Sequence, residues 1–163
     1  MNSLIALINA LSAPLSLSAL KSVLLAMVGS QQEFYFEKTI TSAEVLDLHD
    51  TPIDLVDAQG ANKIIVPTQI IGELDFNSVA YATNGIVQIF SGGTEEIASV
   101  SANGFLFGTL SRIVNIGTSN ASAVGNTQYV ANQPLTISVE TGNPTAGDSD
   151  IVIRGYYKVI TVG

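Results

Sequence analysis

Cysteine and tryptophan are absent from this 163-residue chain, which holds a single histidine, two methionines and six Lys or Arg residues. The missing cysteine excludes disulfides, thiolate nucleophiles and cysteine-ligated zinc together. With one imidazole in the whole chain and no Gly-x-Ser-x-Gly elbow, no nucleophile has an evident base, so enzymatic activity is not expected. The six cations, Lys21, Lys38, Lys63, Arg112, Arg154 and Lys158, are dispersed and face 14 Asp and Glu, for a formal net charge of −8. No basic stripe is left to neutralise phosphates, so nucleic acid is not an expected partner. The same negative field opposes adsorption to anionic lipid. Charged residues make up 12% of the chain, about half the usual share, against 47% hydrophobic residues. A surface so poor in charge is expected to be covered by copies of itself or by other subunits, which makes a homo-oligomer the default.

What is present divides the chain in two. Residues 1–30 carry one charged side chain, Lys21, and read as a helical anchoring or oligomerisation segment. Leu4, Leu7 and Leu11 follow helical spacing, Pro14 breaks the run, and Leu17, Leu20, Leu24 and Met27 resume it at 3-4-3 intervals. The spacing predicts a pair of short apolar helices, the second capped by Ser16 or Ser18 and ended by Gly29. A 3-4-3 seam keeps one apolar stripe facing a partner, as a bundle between copies requires. A secretory signal is not expected, because the leader lacks a basic first segment. A single membrane span is disfavoured too, since Ser12, Pro14, Ser16, Ser18, Lys21 and Ser22 interrupt every window of about 20 residues. Interfacial membrane contact stays open.

Residues 31–163 read as one β-sandwich domain. Phe34, Phe36 and Ile40 share one parity while Glu33, Glu37 and Thr39 share the other, the pattern of a half-buried strand. Thr41 or Ser42 then caps a helical turn with Glu44 near its positive end. A strand follows at Ile53 to Val56, and a long one at Lys63 to Phe76, with Ile64, Val66, Ile70, Leu74 and Phe76 on the apolar side. Pro67 cannot donate to a ladder, which predicts an edge or a bulge there. Further strands are expected at Gly85 to Phe90, Ile97 to Val100, Phe105 to Leu110 and Arg112 to Ile116, and the stretch from Gly117 to Gln128 as a loop. Leu135, Ile137 and Val139 alternate with Thr136 and Ser138. Ile151, Ile153, Tyr157 and Val159 alternate with Asp150, Arg154 and Lys158. About eight short strands without long intervening helices predict a mainly β fold, an antiparallel sandwich of jelly-roll type.

No residue set makes a strong site, and no cofactor or metal is expected. His49 stands among Asp47, Asp50, Asp54 and Asp57, but that spacing fixes no convergent geometry, and acidic turns and caps account for the same residues. Asp148 and Asp150 lack the regular carboxylate spacing of a calcium loop. The glycines of Ser91-Gly-Gly93, Gly142 and Gly147 read as hairpin chemistry rather than a phosphate cradle. Asn120-Ala-Ser122 fits a short, common glycosylation sequon. Tyr35, Phe36, Tyr156 and Tyr157 are candidates for carbohydrate contact, although strand aromatics more often pack in a core or an interface.

The runs Thr39-Ile-Thr-Ser-Ala-Glu-Val-Leu46, Thr51-Pro-Ile-Asp-Leu-Val56, Tyr81-Ala-Thr-Asn84 and Thr141-Gly-Asn-Pro-Thr-Ala-Gly-Asp148, with the closing strand Ile151 to Ile160, resemble small bacteriophage virion proteins. The resemblance spans residues 39–160 and excludes the leader. It implies a β-sandwich module of the capsid decoration, head fibre or minor capsid type, a homotrimer or other symmetric oligomer without catalysis. On that reading the partners are copies of the chain and the major capsid or other virion proteins, and the place is the outer surface of the virion. The alternatives are a receptor- or glycan-binding module of a spike or tail fibre, and a membrane-associated spike or vertex protein.

Overall fold

The computed structural model describes Ser16, Ser18 and residues 20–23, 32–116 and 128–163. The chain falls into two units, Met1–Gln32 and Glu33–Gly163. In the first, Ser18 and residues 20–23 are helical, and the Leu20 N–H donates to the Ser16 carbonyl at 3.1 Å. Ser16 thus opens the turn, its hydroxyl 2.8 Å from that of Ser18. Of the seamed residues only Leu20 is described, and it is 47% exposed. Leu4, Leu7, Leu11, Leu17, Leu24 and Met27 lie outside the described residues. Among those described, no helix is long and apolar enough to cross a membrane.

The second unit is mainly β. Its strands are β1 (Phe34–Ile40), β2 (Ile53–Val56), β3 (Lys63–Asp75), β4 (Val87–Ser91), β5 (Glu95–Val100), β6 (Arg112–Asn115), β7 (Leu135–Val139) and β8 (Asp150–Thr161). They form two four-stranded sheets, ordered β1-β8-β3-β6 and β2-β7-β4-β5, with every pair antiparallel. Each sheet turns its apolar parity into one shared cluster. Ile40, Ile70, Leu74, Ile151 and Ile153 enter from the first, and Val87, Ile89, Ile97, Ile137 and Val139 from the second. Between β1 and β2 lies the short helix Ser42–Val45, where Thr41 is the cap and Thr41 and Glu44 form a reciprocal capping box. That box satisfies the helix-start donors and lets Val45 and Leu48 reach the cluster.

Three differences from the sequence expectation have physical causes. Along β3 the buried residues are Ile65 and Pro67, then Ile70, Gly72 and Leu74, so Ile64 and Val66 are not on the core face as expected. The register slips between Pro67 and Gln69, and the extra residue, Thr68, exchanges the two faces of the strand. Pro67 marks this bulge, as expected of a residue without an N–H. The predicted strand Phe105 to Leu110 is instead a run of turns. The N–H groups of both Phe105 and Phe107 donate to the Ala102 carbonyl, at 3.1 and 2.9 Å, which coils the chain after Asn103-Gly104. Phe105 and Leu106 are consequently both buried, rather than on opposite faces. On β7 all five residues are buried, Thr136 and Ser138 included. Their hydroxyls donate to Asp54 Oδ1 at 3.0 Å and to the Leu48 carbonyl at 3.2 Å, which permits polar side chains under cover.

The glycine turn Gly92-Gly93 joins β4 to β5 with φ of +71° and +73°, a conformation that suits residues without a Cβ. Elsewhere one glycine is required by contact. A Cβ on Gly155, at the centre of β8, would stand 2.1 Å from the Gln69 carbonyl oxygen and 3.0 Å from the Phe36 ring. The bulge therefore presses β3 backbone onto β8. Gly155→Ala is expected to lower the urea midpoint by the equivalent of about 3 kcal/mol, because backbone rather than a flexible side chain must move. An unchanged midpoint would show that the two strands part without cost.

Candidate functional site

The residues that sequence reading marks for chemistry lie mostly in the connections, and each can be followed to its partners. The turn after the short helix carries Asp47, His49 and Asp50. Its organiser is Asn143, whose Oδ1 accepts from the backbone N–H groups of His49 at 2.8 Å and Asp50 at 3.3 Å. Asn143 Nδ2 donates to Asp50 Oδ2 at 2.8 Å and reaches Asp47 Oδ1 at 3.5 Å. His49 Nδ1 lies 2.8 Å from the Val139 carbonyl, so the Nδ1–H tautomer donates there. Thr51 closes the turn by donating to Asp47 Oδ2 at 2.7 Å. Asp54 belongs to β2 and takes the Thr136 hydroxyl, while Asp57 lies in the next connection, its carbonyl accepting from Gln59. These acids are therefore not brought together around His49.

A second clasp is built on Asp148. Its Oδ1 accepts from the Ser78 and Val79 N–H groups at 3.1 and 2.9 Å, and its Oδ2 from Asn77 Nδ2 at 3.0 Å and from the Ser78 hydroxyl. These donors, the Ser78 hydroxyl first, hold the Asp148 carboxyl below its ordinary value. Beside it the Tyr81 ring lies on Gly147, where a Cβ would come within 2.2 Å of the ring, and the Tyr81 hydroxyl donates to the Ser149 carbonyl. Burial, then the charges of Asp150 and Asp148, push the Tyr81 phenol well above its ordinary range. Asp75, Asp148 and Asp150 line a shallow groove of about 340 Å³ with Phe76 and Asn77. Asp148 is fully engaged, and Asp150 Oδ1 accepts from the Ser42 N–H at 2.8 Å. Among the described residues no group of three His, Cys, Asp or Glu is placed to hold a metal ion.

The aromatic set divides by parity. Phe36 and Tyr157 are buried, their rings 6.2 Å apart, whereas Tyr35 and Tyr156 face each other across β1 and β8 on the outer side, with centroids 5.5 Å apart. Next to them Arg154 stands between two carboxylates. Its Nη2 donates to Glu73 Oε2 at 2.7 Å, and its Nε lies 3.6 Å from Glu37 Oε2. The Tyr35 hydroxyl donates to Glu37, which raises the Tyr35 phenol above its ordinary value. This outer sheet face collects exposed aromatic and aliphatic side chains that no other described element covers. The sequon residues Asn120 and Ser122 lie outside the described residues, as does nearly all of the loop up to Gln128.

Sequence reading missed Asn143, Asp148 and Tyr81 as organisers. The available signal was Thr141-Gly-Asn-Pro, a turn former whose amide has no regular ladder to join. Comparisons with protein-family models, with curated proteins and with solved structures find no match to this chain.

Two outcomes are expected. Tyr81→Phe removes one buried donor and leaves the Ser149 carbonyl without its partner, at a cost of about 1 kcal/mol in equilibrium unfolding. The Asp148 carboxyl is held below its ordinary 3.8, so its contribution is complete above that pH and is lost as the pH falls through the lower folded-state value. Asp148→Asn should therefore flatten the acid limb of a stability–pH profile below about pH 4. An acid limb as steep as that of the parent chain would remove Asp148 from the account.

Proposed function

We propose that this chain is a non-enzymatic structural protein of a bacteriophage virion, a jelly-roll body that decorates, cements or projects from the capsid as a symmetric oligomer. The observation that carries the jelly-roll reading is the pairing scheme. β1 pairs with β8, β2 with β7, β3 with β6 and β4 with β5, alternately in one sheet and the other. Such a scheme is a long antiparallel ribbon, folded at the β4–β5 hairpin and rolled so that β8 meets β3 and β7 meets β4. Rolled ribbons of eight strands recur in viral capsid and lectin domains. A fold alone does not name an activity, and the role rests also on the use of the side chains. Asp47, Asp50, Asp148, His49 and Tyr81, all in the connections, hold turns through hydrogen bonds. The acidity suits a position outside the shell, because a surface facing packaged nucleic acid would be repelled by it.

On this reading the leader, with Leu4, Leu7, Leu11, Leu17, Leu20, Leu24 and Met27, docks in the shell or bundles with symmetry mates. Purified particles should contain the chain by mass spectrometry, and antibodies to the Glu33–Gly163 unit should decorate intact particles. The free full-length protein should have the mass of an oligomer, about 51 kDa for three copies of 17.0 kDa. Absence from the particle, or an epitope reached only after the shell is broken, would overturn the proposal.

A further inference from the structure

We infer that the outer face of the β1-β8-β3-β6 sheet is a contact surface for a second copy of this chain. The inference deepens the oligomeric reading above and rests on it. Parity along β8 turns Val152, Arg154, Tyr156, Lys158 and Ile160 outward, opposite the buried Ile151, Ile153 and Gly155. Four large side chains on this face are conspicuously open to solvent: Ile113 at 68%, Tyr35 at 54%, Ile160 at 47% and Tyr156 at 44%. An aromatic pair set among exposed aliphatics on a sheet face is the composition of an interface centre rather than of a solvated face.

Charge selects the occupant. Between the Val152 and Ile160 rows the outward charges are Glu33, Glu37 and Glu73 against Arg154 and Lys158, a balance of −1 where the whole chain carries −8. Beyond this stretch the register ends at the acidic row Asp75 and Asp150. Over this stretch the near balance leaves two copies little mutual repulsion, in contrast to the acidic chain as a whole. Its charges are also matched within one copy. Arg154 is held by Glu73 and Glu37, and Lys158 Nζ lies 3.9 Å from Glu33 Oε1. Covering the face therefore leaves both cations beside carboxylates of their own copy, with Arg154 Nε already buried and without a hydrogen-bond partner. The same internal matching disfavours a glycan as occupant, because a sugar needs donors and acceptors free to turn towards its hydroxyls: Arg154 Nη2 donates to Glu73, the Tyr35 hydroxyl donates to Glu37, and Arg154 Nε is buried.

The test uses the full-length chain. Tyr156→Glu and Ile113→Glu each place an unmatched carboxylate on the face at a position already open to solvent, and Tyr156→Phe preserves the apolar ring. The expected result is that either glutamate variant raises the concentration for half-association by about 30-fold or more, while Tyr156→Phe stays near the parent. Circular dichroism and melting curves like those of the parent identify the folded variants on which the masses are read. Because the chain lacks cysteine, maleimide labelling supplies a second readout that does not depend on these variants. Thr39→Cys and Ile113→Cys, on the face, should label about tenfold more slowly than Ile86→Cys at concentrations where the chain is associated, and should converge with it on dilution. An oligomer that survives both glutamate variants with equal labelling at all three positions would overturn this contact and leave the oligomeric virion reading standing. A chain monomeric at every concentration would overturn the contact, and presence in the particle would then decide the virion reading by itself.

Discussion

The ladder between β3 and β8 is the constraint on which the rest of this structure depends. Its register runs from Lys63 opposite Thr161 to Asp75 opposite Asp150, so these two strands alone span the full length of their sheet. β1 attaches to the far side of β8, and β6 only to one end of β3. A ladder of this length cannot follow one register and also bury a consistent set of side chains if the sequence changes parity midway. The bulge at Thr68 resolves the conflict. It sets Ile65 and Pro67 inward on one side and Ile70, Gly72 and Leu74 on the other. The accommodation falls on β8, where only glycine leaves room for the displaced Gln69 carbonyl.

The strands alone would leave the connections with unmatched backbone groups, and the polar side chains answer that need. Asn143 and Asp148, five residues apart in one loop, each bind a different connection, the first the turn at residues 47–51 and the second the segment at 77–79. The Ala82 and Thr145 backbones exchange hydrogen bonds of 2.7 Å in both directions, so the same loop also forms an isolated bridge. One short stretch thereby ties the entrance of β2 and the exit of β3 to the start of β8. Buried donors and acceptors without such partners would each cost free energy comparable to a lost hydrogen bond, which explains why residues resembling an acid–base cluster are placed in turns.

Period-two alternation in the sequence was enough to expose β1 and β8, because both are regular and keep their buried residues on a single parity. It failed where the backbone departs from a plain ladder. In β3 the sequence offers apolar residues at both parities, Ile64-Ile65-Val66 and Ile70-Ile71, and only the bulge decides which of them are buried. In Phe105-Leu106 two adjacent apolar side chains reach the core from a turn, where no period applies; the Phe105 ring lies where a Cβ on Gly72 would stand, 2.8 Å from its tip. The outer side of β7 reads as solvent-facing by its Thr and Ser, yet both are buried, because hydroxyls can be satisfied by a neighbouring carboxylate or carbonyl under cover. The roles of Asn143 and Asp148 were hidden for another reason. Their partners lie 59 to 96 residues away in sequence, and no local pattern encodes such a distance.

The distribution of charge follows from these local solutions. Several of the acids serve the fold's periphery. Glu44 takes the Thr41 N–H at the helix start, which together with the Thr41 hydroxyl lowers its carboxyl, and Asp148 and Asp150 accept from backbone donors. The carboxyls of Glu44 and Asp148 are held as anions chiefly by donors that carry no positive charge, so the structural work that they do accumulates net negative charge on the body. The face of the β1-β8-β3-β6 sheet is organised on another principle, with Arg154 between Glu37 and Glu73 and Lys158 beside Glu33. At the modest burial of these groups the ion pairs add little to stability, on the order of 1 kcal/mol or less each. Their consequence is spatial: two of the chain's six cations lie on one sheet face, where the outward charge between the Val152 and Ile160 rows sums to −1 beside exposed tyrosine and isoleucine. The parity of β8 that turns Ile151 and Ile153 into the core is also what turns Arg154, Tyr156 and Lys158 outward onto this face.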